Sequence, residues 1–262
     1  MIPHHTSALL ISDIHLTPSM PLTAQRFFDF CEKDVSQVEA VFILGDLFEY
    51  WIGDAAAAHS LFTREVRRAL ASLSSKTKTY YMHGNGDFLI GPAFLKKTGI
   101  TPLADPSLVS LGGQQYLLSH GDALCTADAG YQVFRRWTRK RWIQKSFLRL
   151  PLSWRRGIAN HLRSNSQAQY QHRASTSHHR NVIKTNVTQD ACAAALKTFD
   201  CDQLIHGHTH LPAHHQESFG AQKWQRWVLS DWDLDHHESA RPRANALLVN
   251  AEGVQSVDLV KS

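Results

Sequence analysis

Three histidines fall within five positions of the stretch His206-Gly207-His208-Thr209-His210, directly after the apolar pair Leu204-Ile205. Similar polar groups follow other short apolar runs. Asp13 and His15 follow Ala8–Ile11, Asp46 follows Ala40–Leu44, Asn85 follows Thr79–Met82, and His120 follows Tyr116–Ser119. Asp13/His15 and His208/His210 are each separated by one residue, so in an extended chain both members of a pair face the same side. Together these groups offer imidazole nitrogens, carboxylates, one amide oxygen and no thiolate, a set suited to Mn²⁺, Fe²⁺ or Zn²⁺. Seven such groups exceed the needs of one tetrahedral ion. They suit two cations sharing a carboxylate. Taken singly, each has a plainer reading, because aspartate is a common turn former and a lone histidine is usually just hydrogen-bonded. The metal reading rests on their joint recurrence at the ends of apolar runs.

Those runs must be positioned by a fold. ALLISDIH (8–15), AVFILGDLFE (40–49), TYYMHGNGD (79–87), YLLSHGD (116–122), QLIHGHTH (203–210) and WVLSDWD (227–233) read as buried strands ending in polar residues. Residues 22–38 and 58–75 have helical spacing, as in Leu61, Val66, Ala69, Leu70 and Leu73. Strands alternating with helices predict an α/β arrangement. A hairpin around Glu252-Gly253 within 246–260 adds antiparallel strands, so mixed sheets are expected. Reactive groups in such sheets gather at the carboxyl ends of strands. Gly45, Gly84, Gly121 and Gly207 would let the backbone come close to the cations there.

The chain has 262 residues, 43% of them hydrophobic, with four cysteines and a net charge of +5. No run is long and apolar enough to span a bilayer. The first residues do not read as a secretory leader. Cys31, Cys125, Cys192 and Cys201 lack metal or redox spacing, so reduced thiols in a cytosolic protein are expected. The charge is uneven. From Ala129 to Val187 there is no Asp or Glu, while 13 Lys and Arg lie between Arg135 and Lys184. Within it, 129–163 has helical spacing, with breaks expected at Pro151 and Gly157, and 164–181 reads as a polar loop. A helix is expected from Thr188. The predicted organisation is a core of 1–124 and 188–262 with an inserted basic helical cap at 125–187.

The motifs D-x-H, G-D, G-N-x-D, H-G-D and G-H-x-H, in this order, resemble those of the calcineurin-like metallophosphoesterases. The resemblance implies an αββα sandwich of two mixed sheets flanked by helices. It implies Asp13, His15, Asp46 and His210 on one metal and Asp46, Asn85, His120 and His208 on the other, with Asp46 bridging. His206 is not a ligand in this pattern. Asp46, Asn85 and His208 would serve the phosphoryl transfer to water.

Longer runs, including HGNGDFLIG (83–91), HGDALCTADAGYQVFR (120–135), RSNS (163–166) and LIHGHTHLPA (204–213), resemble the branch of that family that cleaves UDP-2,3-diacylglucosamine in Gram-negative bacteria. That resemblance implies hydrolysis at the α-phosphorus to UMP and 2,3-diacylglucosamine 1-phosphate, a lipid A biosynthesis step. Two Mn²⁺, with Fe²⁺ or Zn²⁺ as alternatives, would be the cofactors. The expected location is peripheral, on the cytoplasmic side of the inner membrane, with its anionic surface and the lipid-linked UDP-sugar as partners. No nucleic acid and no obligate protein partner are expected. Asn85, Asp128, Ser166 and His208 would contact substrate. Ser177 and Arg180 are the best matches to later substrate-contacting positions, with Arg173 as rival to Arg180. Two positions depart from the pattern: Gly86 stands where an arginine is usual, and Ala127 where an acid is usual. Gly86→Arg is expected to improve or leave unchanged turnover of the lipid substrate, a large loss meaning a pocket rebuilt for something else, and an arginine of the cap could stand in for the missing one.

The cap supports the lipid reading on its own terms. Trp137, Trp142, Phe147, Leu148, Leu150, Leu152, Trp154 and Ile158 could line an acyl groove or pack the cap on the body, with arginines facing anionic headgroups. Rival functions are a phosphoesterase acting on nucleotides or nucleic acid through the basic, tryptophan-bearing segment, a scaffold that has lost its chemistry, and a membrane-binding module. Salt-sensitive binding of single-stranded DNA would favour the first. An absence of bound metal would favour the second, and the third leaves the strand-end groups unexplained.

Overall fold

Alternating side chains that are apolar on both faces make a strand that must be covered twice. In Ala8–Ile11, Ala8 and Leu10 pack on one side, and Leu9 and Ile11 on the other. The computed structural model describes residues 2–35, 37–161, 186–220, 222–236 and 241–260. Its strands, in chain order, are β1 (His4–His5), β2 (Ala8–Ile11), β3 (Ala40–Leu44), β4 (Lys78–Met82), β5 (Thr101–Leu103), β6 (Ser107–Leu111), β7 (Gln114–Ser119), β8 (Gln203–His206), β9 (Ala213–Phe219), β10 (Gln222–Val228), β11 (Asn245–Asn250) and β12 (Gly253–Asp258). They form two six-stranded sheets, β12-β11-β2-β3-β4-β5 and β1-β6-β7-β8-β10-β9. The first is parallel from β2 to β5 and antiparallel at the β11–β12 hairpin. The second is parallel where β8 lies between β7 and β10, and antiparallel at β6–β7 and β9–β10.

The sheets meet through Leu10, Phe42, Leu44 and Met82 on one side and Val109, Tyr116, Leu118 and Ile205 on the other. Helices cover the outer faces. Over the first sheet lie α1 (Pro21–Asp29), α3 (Leu61–Lys76) and α4 (Pro92–Thr98), with a short α2 (Asp54–Ala57) between α1 and α3 in the chain. Phe27, Val66, Leu70, Leu73 and Phe94 are their buried contribution. Ser60 starts α3 by accepting a hydrogen bond from the Thr63 amide. α1 runs on into a π-helical turn over Phe30–Asp34, which the sequence spacing does not reveal. The predicted αββα layering is thus the fold.

The basic segment begins with α5 (Ala129–Thr138) and α6 (Arg141–Arg149) and is helical again over 152–161. Two boundaries differ from expectation. The chain breaks at Arg139-Lys140, and helix continues through Gly157. Gly157 has open space around it, so nothing there forces a bend. The expected helix after Thr188 is α7 (Gln189–Thr198), whose Cys192 and Leu196 pack on Leu117, Leu204 and Trp224 of the second sheet.

Candidate dimetal active site

Asp13 and His15 follow β2, Asp46 follows β3, Asn85 follows β4, His120 follows β7, and His208 and His210 follow β8. Both sheets therefore deliver groups from their carboxyl ends, and the connecting loops are laced together. The Asp13 amide donates to Gly45 O at 3.1 Å, the His15 amide to Asp46 O at 3.0 Å, and the Gly207 amide to His120 O at 2.9 Å. Close approach leaves no room for side chains at two glycines. A Cβ on Gly84 would lie 2.1 Å from Asp46 Oδ1, and one on Gly207 would lie 2.3 Å from Asp13 Oδ2.

The result is two groups of three. Atoms of Asp13, His15 and His210 lie within 4.8 Å of one another, as do atoms of Asp46, His120 and His208. Asp46 Oδ2 reaches both, 4.0 Å from His15 Nε2 and 3.8 Å from His120 Nε2. Asn85 Oδ1 lies 3.0 Å from His120 Nε2. The backbone is bent to achieve this. Asp13, His15, Asp46, His208 and His210 all have positive φ, and only Asp200 joins them among the described non-glycine residues. Such residues are costly and cluster where function holds them.

The electrostatics fit bound cations. Asp13 is fully buried, and its Oδ1 has no hydrogen-bond partner, the nearest imidazole nitrogen being His210 Nε2 at 3.4 Å. A buried carboxylate oxygen left so is expensive unless a cation completes it. Burial pushes the His15 imidazole down, but its contact with Glu49 and the charges of Asp46 and Asp13 outweigh this and raise it to about 10. His120 likewise ends at about 9, burial being overcome by Asp46 and Asp13. His208, governed by burial and by His120, falls to about 4. Carboxylates that hold protons on neighbouring imidazoles would hold divalent ions instead, and neutral His208 is already a competent ligand.

Several further groups support these ligands. Glu49 Oε2 lies 3.3 Å from His15 Nδ1, and Asp231 Oδ2 lies 3.6 Å from His210 Nδ1. Asp231 is itself gripped by Arg243. These are the carboxylate–histidine contacts that orient metal ligands. Asp87 accepts from the Leu47 amide at 2.8 Å and the Gly84 amide at 2.9 Å, tying the Asp46 loop to the Asn85 loop. The D of H-G-D, Asp122, accepts from Tyr131 Oη at 2.7 Å and Arg135 Nε at 2.8 Å, and Tyr131 stacks on His208. Arg139 donates to Gly84 O at 2.8 Å and lies over the Phe88 ring, so its charge sits beside Asn85. The expected substitute arginine of the cap has a candidate there.

The remaining expectations divide. Asp128 is spent at least partly on structure, since its Oδ1 caps α5 through the Tyr131 amide at 2.9 Å. Ser166, Arg173, Ser177 and Arg180 lie outside the described residues. Position 86 itself is tight: a Cβ there would be 2.7 Å from Glu49 O and 3.1 Å from Phe48 O, both backbone atoms, so an arginine would have to displace that loop. His206 is fully buried behind the cluster and is held neutral, burial lowering it to about 3.

Two sheets delivering carboxylates and imidazoles to a shared cation centre define a metal-dependent phosphoesterase, and the chain belongs to the calcineurin-like phosphoesterase family, whose sequence profile matches residues 6–212. Its relatives narrow the class. It is 44% identical to the UDP-2,3-diacylglucosamine hydrolase of Ralstonia nicotianae, over 95% of this chain and 91% of that one. It is 43% identical to the protein of that name from Aeromonas hydrophila, over 86% and 90% of the two chains. For the one from Pseudomonas putida the identity is 41%, over 94% and 96%. The chain is accordingly a hydrolase, and membership of the family implies divalent metal ions.

Proposed function

We propose that the protein hydrolyses the pyrophosphate of UDP-2,3-diacylglucosamine at the α-phosphorus, giving UMP and 2,3-diacylglucosamine 1-phosphate for lipid A synthesis. The observation that carries this reading is the pair of ligand groups with the Asp46 carboxylate between them, in a chain more than 40% identical to hydrolases of that name along most of its length. Asp13, His15, Asp46 and His210 would hold one ion, and Asp46, Asn85, His120 and His208 the other. Mn²⁺ is the proposed occupant, with Fe²⁺ or Zn²⁺ able to take its place. Divalent ions bound there would supply Lewis acidity and would lower the pKa of a water toward neutrality.

The chain's own groups orient that reaction. Asp46 fixes the spacing of the two ligand groups. The Asn85 amide and the His208 imidazole face the phosphoryl oxygens, with His208 braced by the Tyr131 ring. Arg139 contributes the positive charge that Gly86 cannot, because its guanidinium is held at the Gly84 carbonyl beside Asn85. Ser166, Ser177 and Arg180, with Arg173 as the rival to Arg180, are proposed to contact the substrate together with Asp128.

Residues 125–187 form the proposed cap over a core of 1–124 and 188–262. The cap's exposed tryptophans, Trp137, Trp142 and Trp154, with Arg136, Arg141, Lys145 and Arg156, make a surface suited to an anionic bilayer. Peripheral attachment to the cytoplasmic side of the inner membrane follows from this reading. No helix among the described residues is long and apolar enough to cross a membrane. The direct test is incubation with Mn²⁺ and UDP-2,3-diacylglucosamine. Release of UMP, with little from plain UDP-sugars or dinucleotides, is expected. Equal or faster cleavage of dinucleotides would replace the lipid substrate with a nucleotide one.

A further inference from the structure

Behind the ligand loop, three polar side chains cross the second sheet as one line, half-buried at Glu217 and buried at Arg226 and His206. Glu217 on β9 accepts from Arg226 on β10, through Nη2 at 2.6 Å and Nε at 3.2 Å. Arg226 Nη1 then reaches His206 Nε2 on β8 at 3.2 Å. Both Arg226 and His206 are buried, at 6% and 0% exposure. A guanidinium can only donate, so Nε2 must be the bare acceptor and the ring proton must sit on Nδ1. Nδ1 lies 2.8 Å from Gly207 O and therefore donates to it.

That carbonyl belongs to the peptide group whose N–H is the amide of His208. The same amide donates to Asp13 Oδ2 at 2.8 Å. One rigid peptide plane is thus held at its oxygen by His206 and at its nitrogen by Asp13. Turning the plane would break both contacts and swing two ligands, one from each group. His208 needs such restraint, since its φ of +68° is an unfavourable conformation for a residue with a Cβ.

We propose that Arg226 and His206 are positioning residues for the metal centre: Arg226, anchored by Glu217, sets the His206 tautomer, and His206 locks the Gly207–His208 peptide that holds Asp13 and His208 in register. The inference rests on the dimetal reading of this site. It adds a determinant of metal retention that touches neither metal nor substrate.

The test is Mn²⁺ binding to the full chain, followed by calorimetry and by metal content after gel filtration, with unfolding temperatures of the metal-free proteins measured in parallel. His206→Phe fills most of the space but cannot donate, and should weaken Mn²⁺ binding by about 10–100-fold, as loss of an outer hydrogen-bond partner does. His206→Asn keeps an N–H where Nδ1–H stood, and should bind far closer to wild type than the phenylalanine variant. Arg226→Lys keeps a cation for Glu217 but lacks the fork that spans two partners. It should lose about tenfold in Mn²⁺ affinity while unfolding near the wild-type temperature. Wild-type affinity in both His206→Phe and Arg226→Lys, or equal losses in His206→Asn and His206→Phe, would overturn the proposal. Wild-type protein that took up fewer than two ions would instead overturn the dimetal reading, and this proposal with it.

Discussion

Among the described residues, Asp46 is the one carboxylate within 4.0 Å of imidazoles from both ligand groups. Its Oδ1 is also tied to the Gly86 amide at 2.8 Å, which leaves Oδ2 aimed between them. Asp46→Ala should therefore cut metal-dependent turnover by more than the roughly 10–100-fold expected from losing a supporting hydrogen bond. Steady-state rates at saturating Mn²⁺ measure this. Gly86 answers to packing rather than to phosphate. Its missing Cβ would press on the Glu49 carbonyl, so Gly86→Ala should lower unfolding stability by about 1–3 kcal/mol in a denaturant titration. At this scale the sequence was informative wherever a ligand type closed an apolar run. It was silent on the roles of Glu49, Asp231 and Arg226, which show only when distant loops bring them against His15, His210 and His206.

Among elements, α5 does two jobs on two faces. One face carries Tyr131, Gln132, Arg135 and Arg139, joined to Asp122, to Cys125 O and to the Gly84 carbonyl. The other presents Val133, Phe134 and Trp137, each more than 40% exposed. Trp137 continues outward to Trp142 at the start of α6, ring against ring. The body instead claims Phe147, which packs on the core, and Arg155, which is buried and donates to Ile52 O. The aromatics thus divide: Phe147 packs on the body, while Trp137 and Trp142 stay exposed. Replacing Trp137 and Trp142 together by alanine should weaken binding to anionic vesicles in a flotation assay and leave hydrolysis of a small soluble phosphodiester unchanged. Equal loss of both activities would make these tryptophans part of the catalytic scaffold. Strand positions were legible because short β-rich apolar runs ended abruptly in polar residues and glycine. The break at Arg139-Lys140 was not, because no glycine or proline marks it. Lys140 instead lies over the Trp137 ring and leaves the helix there.

The whole molecule is an acidic body bearing a cationic segment, since 13 of its 28 basic residues lie in the acid-free stretch 129–187. Attraction of about 1 kcal/mol per basic residue near an anionic surface adds up, and it falls with salt. The interior is closed to reagents in the same global way. Burial raises the Cys125 and Cys192 thiols to about 12, so at pH 8 their thiolate fraction is roughly 10⁻⁴. Both should resist alkylation at pH 8 in the folded protein and react within the same unfolding transition, as mass spectrometry across a denaturant series would record. Prompt labelling of either under native conditions would mean that its surroundings open locally. The layered fold was readable from strand–helix alternation, whereas the order of strands within each sheet was not. That β10 pairs in parallel with β8, placing Arg226 beside His206, is a consequence of tertiary pairing that no local pattern encodes.

Anomalous diffraction at the manganese edge, from crystals of Mn²⁺-loaded protein, probes the centre most directly. Two peaks are expected, one bounded by Asp13, His15 and His210, the other by Asn85, His120 and His208, with the Asp46 carboxylate touching both. A single peak, or peaks remote from Asp46, would contradict the dimetal site.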